Sequence, residues 1–192
     1  MKKTVLTLVV LNSILASSAV LADNQTISLG YTQGKLQGLK KDMEGINLQY
    51  RYEWDSPVSI ISSLTYMDGR QSTIFYEKSE FGTSDSYQRK DSKYYSLLAG
   101  PAYRLNNYFS IYGIAGIAQT RSSLKKKSEF EGLILGTNAH YYKSTSFAYG
   151  AGILINPLKN LSINIGYEGT SARLDNHAHS VDGFSVGAGY RF

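Results

Sequence analysis

Residues 184–192 read Phe-Ser-Val-Gly-Ala-Gly-Tyr-Arg-Phe, and their character alternates. Phe184, Val186, Ala188, Tyr190 and Phe192 form an apolar set, while Ser185, Gly187, Gly189 and Arg191 form a small or polar one. A period of two marks an extended strand with two unlike faces. The same alternation recurs at 25–33, 45–54, 58–67, 93–105, 144–156 and 161–171. The segment 109–120 completes a set of eight, but it is so rich in Gly and Ala that its faces cannot be assigned from sequence.

Polar residues on these strands include charges: Arg51, Glu53, Arg104, Glu168 and Arg191. The opposite sets hold none. On 45–54 they are Ile46, Leu48, Tyr50 and Tyr52; on 58–67, Val58, Ile60, Leu64 and Tyr66; on 93–105, Tyr95, Leu97, Ala99, Pro101 and Tyr103. A lipid-facing charge at mid-bilayer costs about 2–4 kcal/mol, so a charge-free face fits hydrocarbon. Aromatic residues gather toward the strand ends, as an interfacial girdle requires: Tyr52, Trp54, Tyr103 and Tyr190 at one end, Tyr31, Tyr66, Tyr95, Phe147 and Tyr167 at the other. The expected fold is an all-β, eight-stranded antiparallel up-and-down transmembrane β-barrel, with the charged set filling a narrow lumen as paired charges. A soluble eight-stranded barrel would instead place its apolar residues inside.

Connections between the segments alternate in length. Short turns fall at 55–57, 106–107 and 157–160, and long polar stretches at 34–44, 68–92, 121–143 and 172–183. Short turns on one rim and long loops on the other is the asymmetry of an outer-membrane barrel. It predicts periplasmic termini and four external loops. The start of the chain agrees: Met1-Lys2-Lys3, an apolar run from Val5 to Leu15, and Ala19-Val20-Leu21-Ala22 read as a secretory signal peptide over 1–22. The barrel then occupies 23–192. Removing Lys2 and Lys3 takes the formal charge from +5 to +3, which gives no case for nucleic-acid binding. With no Cys, disulfides and thiolate metal sites are excluded.

Candidate chemistry is sparse. His177-Ala178-His179 is a pair without further ligands, so no metal or other cofactor is expected. No nucleophile motif accompanies the chain's three His residues, and an enzyme is not expected. The densest basic cluster is Arg121 with Lys125, Lys126 and Lys127 in the third long stretch; Lys40 and Lys41 make the first one basic. These six are the candidate partner-binding residues, suited to acidic glycans, acidic protein surfaces or lipopolysaccharide phosphates. Leu133-Ile134-Leu135 in the same stretch is expected to be a protruding strand tip or part of a partner surface.

Several short motifs occur in order along the chain: Tyr-Arg-Tyr-Glu at 50–53, Ala-Gly-Pro-Ala-Tyr-Arg at 99–104, Ser-Ile-Tyr-Gly at 110–113, Tyr-Gly-Ala-Gly at 149–152, Asn-Pro at 156–157 and Gly-Tyr-Arg-Phe at 189–192. Together they resemble the Ail/Lom/OmpX family of enterobacterial outer-membrane proteins. The resemblance implies an eight-stranded barrel, and loop-borne roles in adhesion, invasion and complement (serum) resistance. Expected partners are outer-membrane lipid and lipopolysaccharide, host cell-surface or matrix molecules and complement regulators, met by a monomer. A structural role in envelope integrity or stress protection is the alternative, with a rim-located enzyme behind it.

Overall fold

The structure, a computed structural model, describes residues 24–37, 42–79, 82–130, 133–174 and 177–192. The expected signal peptide, Lys40 and Lys41 lie outside the described residues. Eight strands follow in chain order: β1 (Asn24–Leu36), β2 (Met43–Glu53), β3 (Val58–Ser79), β4 (Gly82–Arg104), β5 (Phe109–Phe130), β6 (Leu133–Leu158), β7 (Leu161–Leu174) and β8 (His177–Arg191). Each pairs antiparallel with the next, and β1 pairs with β8, so the sheet closes into a barrel. Closure removes the sheet edges that lipid could not satisfy.

Burial is inverted relative to a water-soluble protein. Leu29 is 61% exposed and Phe147 67%, while Asn164 is 0% and Glu53 1% exposed. Leaving such apolar side chains in water would forfeit about 1.5–3 kcal/mol each. Lipid removes that penalty, and the exposed set is the one the alternation assigns outward. The unassigned faces of β5 resolve the same way: Ile111 and Ile117 point out, Tyr112, Ile114 and Ala118 point in.

Bulky inward side chains fill the bore against a glycine-lined wall. A Cβ on Gly152 or Gly166 would lie 2.4 or 2.3 Å from the Tyr112 hydroxyl, so these two positions must be glycine for that ring to fit. Gln49 Nε2 donates to the Tyr112 hydroxyl at 3.3 Å, and Asn164 Nδ2 donates to Gln49 Oε1 at 2.6 Å, which ties β2, β5 and β7 together across the lumen. Toward the rim opposite the short turns, Leu36, Met43, Met67 and Val181 are all buried, and the Thr32 hydroxyl reaches Met67 Sδ at 3.8 Å.

Three of the four expected long loops are in large part strand. The β3–β4 ladder runs to Ser79↔Gly82, β4–β5 to Ser84↔Phe130, β5–β6 to Phe130↔Leu133 and β7–β8 to Leu174↔His177. Stretches 68–92, 121–143 and 172–183 therefore continue the hairpins. Beyond the lipid both faces meet water, so the apolar alternation disappears while the backbone hydrogen bonds persist. The β2–β3 ladder ends at Glu44↔Asp68 and β6–β7 at Ala148↔Thr170. A four-stranded sheet, β3-β4-β5-β6, thus projects past the barrel. Leu133-Ile134-Leu135 opens β6 at its far end.

Candidate functional site

Strand register gathers the basic residues on one face of the projecting sheet. Arg121 stands opposite Lys93 on β4 and Lys143 on β6, and all three are exposed. The row beneath them is Tyr95, Gln119 and Thr145. The Arg121 guanidinium lies 5.8 Å from the Tyr95 ring centroid, and its Nε donates to Gln119 Oε1 at 2.9 Å. Tyr95 in turn packs on Tyr66 at 5.1 Å between centroids. The cationic row therefore sits directly on an aromatic girdle, a position that suits an interface between hydrocarbon and polar headgroups.

Three further rows continue the face: Asp91, Ser123 and Tyr141; Arg89, Lys125 and Ala139; Tyr87, Lys127 and Thr137. Across β4, β5 and β6 these four rows hold six cations and one carboxylate, Asp91, which pairs with Arg89 at 3.1 Å; β3 adds Asp68 opposite Lys93 and Arg70 opposite Asp91, themselves paired at 3.4 Å. Like charges on neighbouring strands repel, so the arrangement is tolerated only in a solvated or anion-bound setting. Asp91, Lys93, Arg121, Tyr141 and Lys143 line a shallow groove of about 530 Å³. Lys90, at an alternate position on β4, is half-buried, and burial lowers its ammonium pKa.

Of the six residues singled out from sequence, Arg121, Lys125 and Lys127 share this face. Lys126 takes the alternate register position, opposite Gln88 and Asn138. Lys40 and Lys41 fall outside the described residues. The sequence reading did not select Lys93, Lys143 or Arg89, which belong to other hairpin arms. Charges at 89, 91 and 93, and at 121, 125 and 127, fall on one parity of their strands, and that was the available signal.

Lumenal charges separate by depth. Glu53 receives three guanidinium groups: Arg51 at 3.2 Å, Arg104 at 3.3 Å and Arg191 at 3.0 Å. These are charge contacts; neither Glu53 oxygen accepts an aligned hydrogen bond. Arg51 also donates to Ser59 Oγ at 2.9 Å and Ser110 Oγ at 3.1 Å. Glu168 takes other partners: the Thr65 hydroxyl donates to it at 2.9 Å, and so does the Tyr94 hydroxyl. His177 and His179 lie in β8 opposite Leu174 and Ala172.

Comparison with known proteins extends this picture. The family model described as Enterobacterial Ail/Lom protein matches residues 1–192. The virulence membrane protein PagC of Salmonella typhimurium is 41% identical over 194 residues, covering all of both chains. Outer membrane protein X of Escherichia coli K12 is 36% identical, covering 89% of this chain and 87% of its own. Among solved structures, the attachment invasion locus protein Ail of Yersinia pestis, in complex with the heparin analogue sucrose octasulfate, superposes with a TM-score of 0.66 at 32% identity. That match covers 90% of this chain and 100% of the other.

Proposed function

The chain belongs to the enterobacterial Ail/Lom family of outer-membrane virulence barrels, and from that premise we propose that it displays a polyanion-binding surface outside the cell. In this reading residues 1–22 are a signal peptide, the short turns face the periplasm and the β3–β6 sheet stands in the medium. The row Lys93–Arg121–Lys143, seated on Tyr95, is the observation that carries the proposal. Its base lies level with lipopolysaccharide phosphates, while Lys125, Lys127 and Arg89 face sulfated or acidic molecules of a host surface. Support for the second partner comes from the Yersinia pestis relative, whose structure holds a heparin analogue. Recognition is electrostatic display by a monomer, with no catalytic step; adhesion, invasion and serum survival are its proposed outcomes. Binding of complement regulators belongs to the same proposal.

Heparin titration of the protein in neutral micelles tests it. Replacing Arg121, Lys125 and Lys143 together by Gln is expected to weaken binding by about 10- to 100-fold, at roughly 0.5–1 kcal/mol for each exposed charge. Wild-type affinity should also fall steeply with added salt. Equal affinity of the triple variant at low salt defeats the proposal. Cell attachment and serum survival are then measured separately on the same variant.

A second reading, envelope integrity, is favoured by the filled bore, which makes the barrel a stiff insert in the membrane. Deletion that raises detergent sensitivity while leaving host attachment intact would select it.

A further inference from the structure

The charge cluster at the short-turn end is unbalanced. One buried carboxylate, Glu53, meets three guanidinium groups, a formal sum of 3 − 1 = +2. Uncompensated buried charge is costly. The excess is directed toward an opening: Arg104 and Arg191 line a hollow of about 530 Å³ between the β4–β5 turn, the β6–β7 turn and the start of β1. Lys159, in the β6–β7 turn, adds a further cation to its wall. Asp55 is the other carboxylate in the short turns, and among the described residues no ion pair joins it to these cations.

Three buried atoms of residues at this hollow lack aligned hydrogen-bond partners: Arg104 Nε, Asn156 Oδ1 and Arg191 Nε, the last in charge contact with Glu53 at 3.0 Å. A guanidinium is always charged and always a donor, so its unmet N–H calls for an oxygen. Asn156 is only 6% exposed and lines the same hollow. Its amide offers a donor or an acceptor according to its rotation. Forked guanidinium groups bind phosphate oxygens in pairs, and lysine adds a mobile point charge. Leu158 lines the hollow as well and is 66% exposed, which gives it an apolar lip.

The geometry points to an oxyanion site at the short-turn mouth of the barrel, where Arg104, Arg191 and Lys159 take a phosphate group and Asn156 completes its hydrogen bonds. That phosphate comes from a phospholipid headgroup, whose glyceride tails would leave past Leu158, or from free phosphate. Binding here neutralises the cluster from outside the lumen and is independent of the polyanion surface on the opposite rim.

The test follows the arginine Nε–H resonances of the protein in phosphate-free maltoside micelles. Inorganic phosphate is exchanged for chloride at constant ionic strength, and in a parallel arm short-chain phosphatidylglycerol is compared with the matching diacylglycerol. The expected result is a saturable shift of Arg104 and Arg191 in at least one arm. A shift with inorganic phosphate identifies free phosphate as sufficient; a shift confined to phosphatidylglycerol identifies the headgroup. Lys159→Gln, in an exposed turn, should weaken binding about threefold, as loss of one partly solvated charge does. Unmoved arginine resonances in both arms, an equal response to diacylglycerol, or unchanged affinity in the Lys159 variant would overturn the site.

Discussion

Glu53 shows how much rests on single residues in this bore. It is the one carboxylate among three arginines, so Glu53→Gln strands guanidinium groups in a poorly solvated mouth. Breaking a buried pair from one side costs about 3–5 kcal/mol; partial access of water to Arg104 and Arg191 argues for the low end here. Glu168→Gln should be milder, because the amide oxygen still accepts from one of the two hydroxyls, Tyr94 or Thr65, and the other can turn to accept from the new Nε2. Urea unfolding in micelles checks the order: Glu53→Gln should lower the midpoint clearly more than Glu168→Gln. Gly166 makes the opposite demand, for absence of volume. Gly166→Ala places a methyl 2.3 Å from the Tyr112 hydroxyl, and overpacking of this kind costs about 1–3 kcal/mol. Combining it with Tyr112→Phe removes the clashing oxygen, leaving the Ser185 hydroxyl at 3.0 Å and ring carbon at 3.6 Å. The double variant should therefore recover part of the loss, a non-additivity that the same unfolding assay measures. The sequence named both carboxylates as lumenal by parity alone. Parity says nothing of depth: Glu168 lies seven residues into β7, about 23 Å along the strand from its short turn at 3.3 Å per residue, whereas Arg51, Glu53, Arg104 and Arg191 all lie beside short turns.

At the scale of the strand, β3–β6 divide into a lipid-facing part that sequence reveals and a water-facing part that it conceals. Alternation is a record of unlike environments. It is sharp at 93–105, where one face meets lipid, and it vanishes along 68–92 and 121–143, where Asp, Lys, Ser and Gln suit either face. Those stretches look like loops although their ladders continue to the hairpin ends. The basic row is hard to read for this reason: Arg121 stands out with Lys125 as a local cluster, but Lys93 and Lys143 join Arg121 only through register across three strands. Amide hydrogen exchange distinguishes strand from loop. Residues 84–92 of β4 are paired on both sides and should be protected, as an irregular loop would not be. Residues 70–78 of β3 and 135–145 of β6 form the free edges of the projecting sheet and should exchange faster than their paired neighbours. Uniform rapid exchange over all three segments would return them to loops.

For the whole barrel, the decisive question is whether a closed wall of this size encloses a channel. Eight strands leave an interior that side chains can fill, and here they fill it in successive layers. The Glu53 cluster occupies the short-turn end; Gln49, Tyr112 and Asn164 bond across the middle; Leu36, Met43, Met67 and Val181 form an apolar layer toward the other rim. An ion would have to displace the cross-bore hydrogen bonds and then pass methionine and leucine without hydration, a step for which the lumen offers no replacement ligands. The purified protein in planar bilayers should therefore show no discrete conductance steps over a range of applied voltage. Enlarging the bore supplies the control. Tyr112→Ala combined with Met67→Ala removes one blocking side chain from each of two layers, and if that variant still folds with full strand content, intermittent conductance should appear. Regular open-channel currents from the wild type would mean that the lumenal layers part more readily than their packing allows. The barrel would then be a pore, and the proposed display by the projecting sheet would not by itself account for what the molecule does.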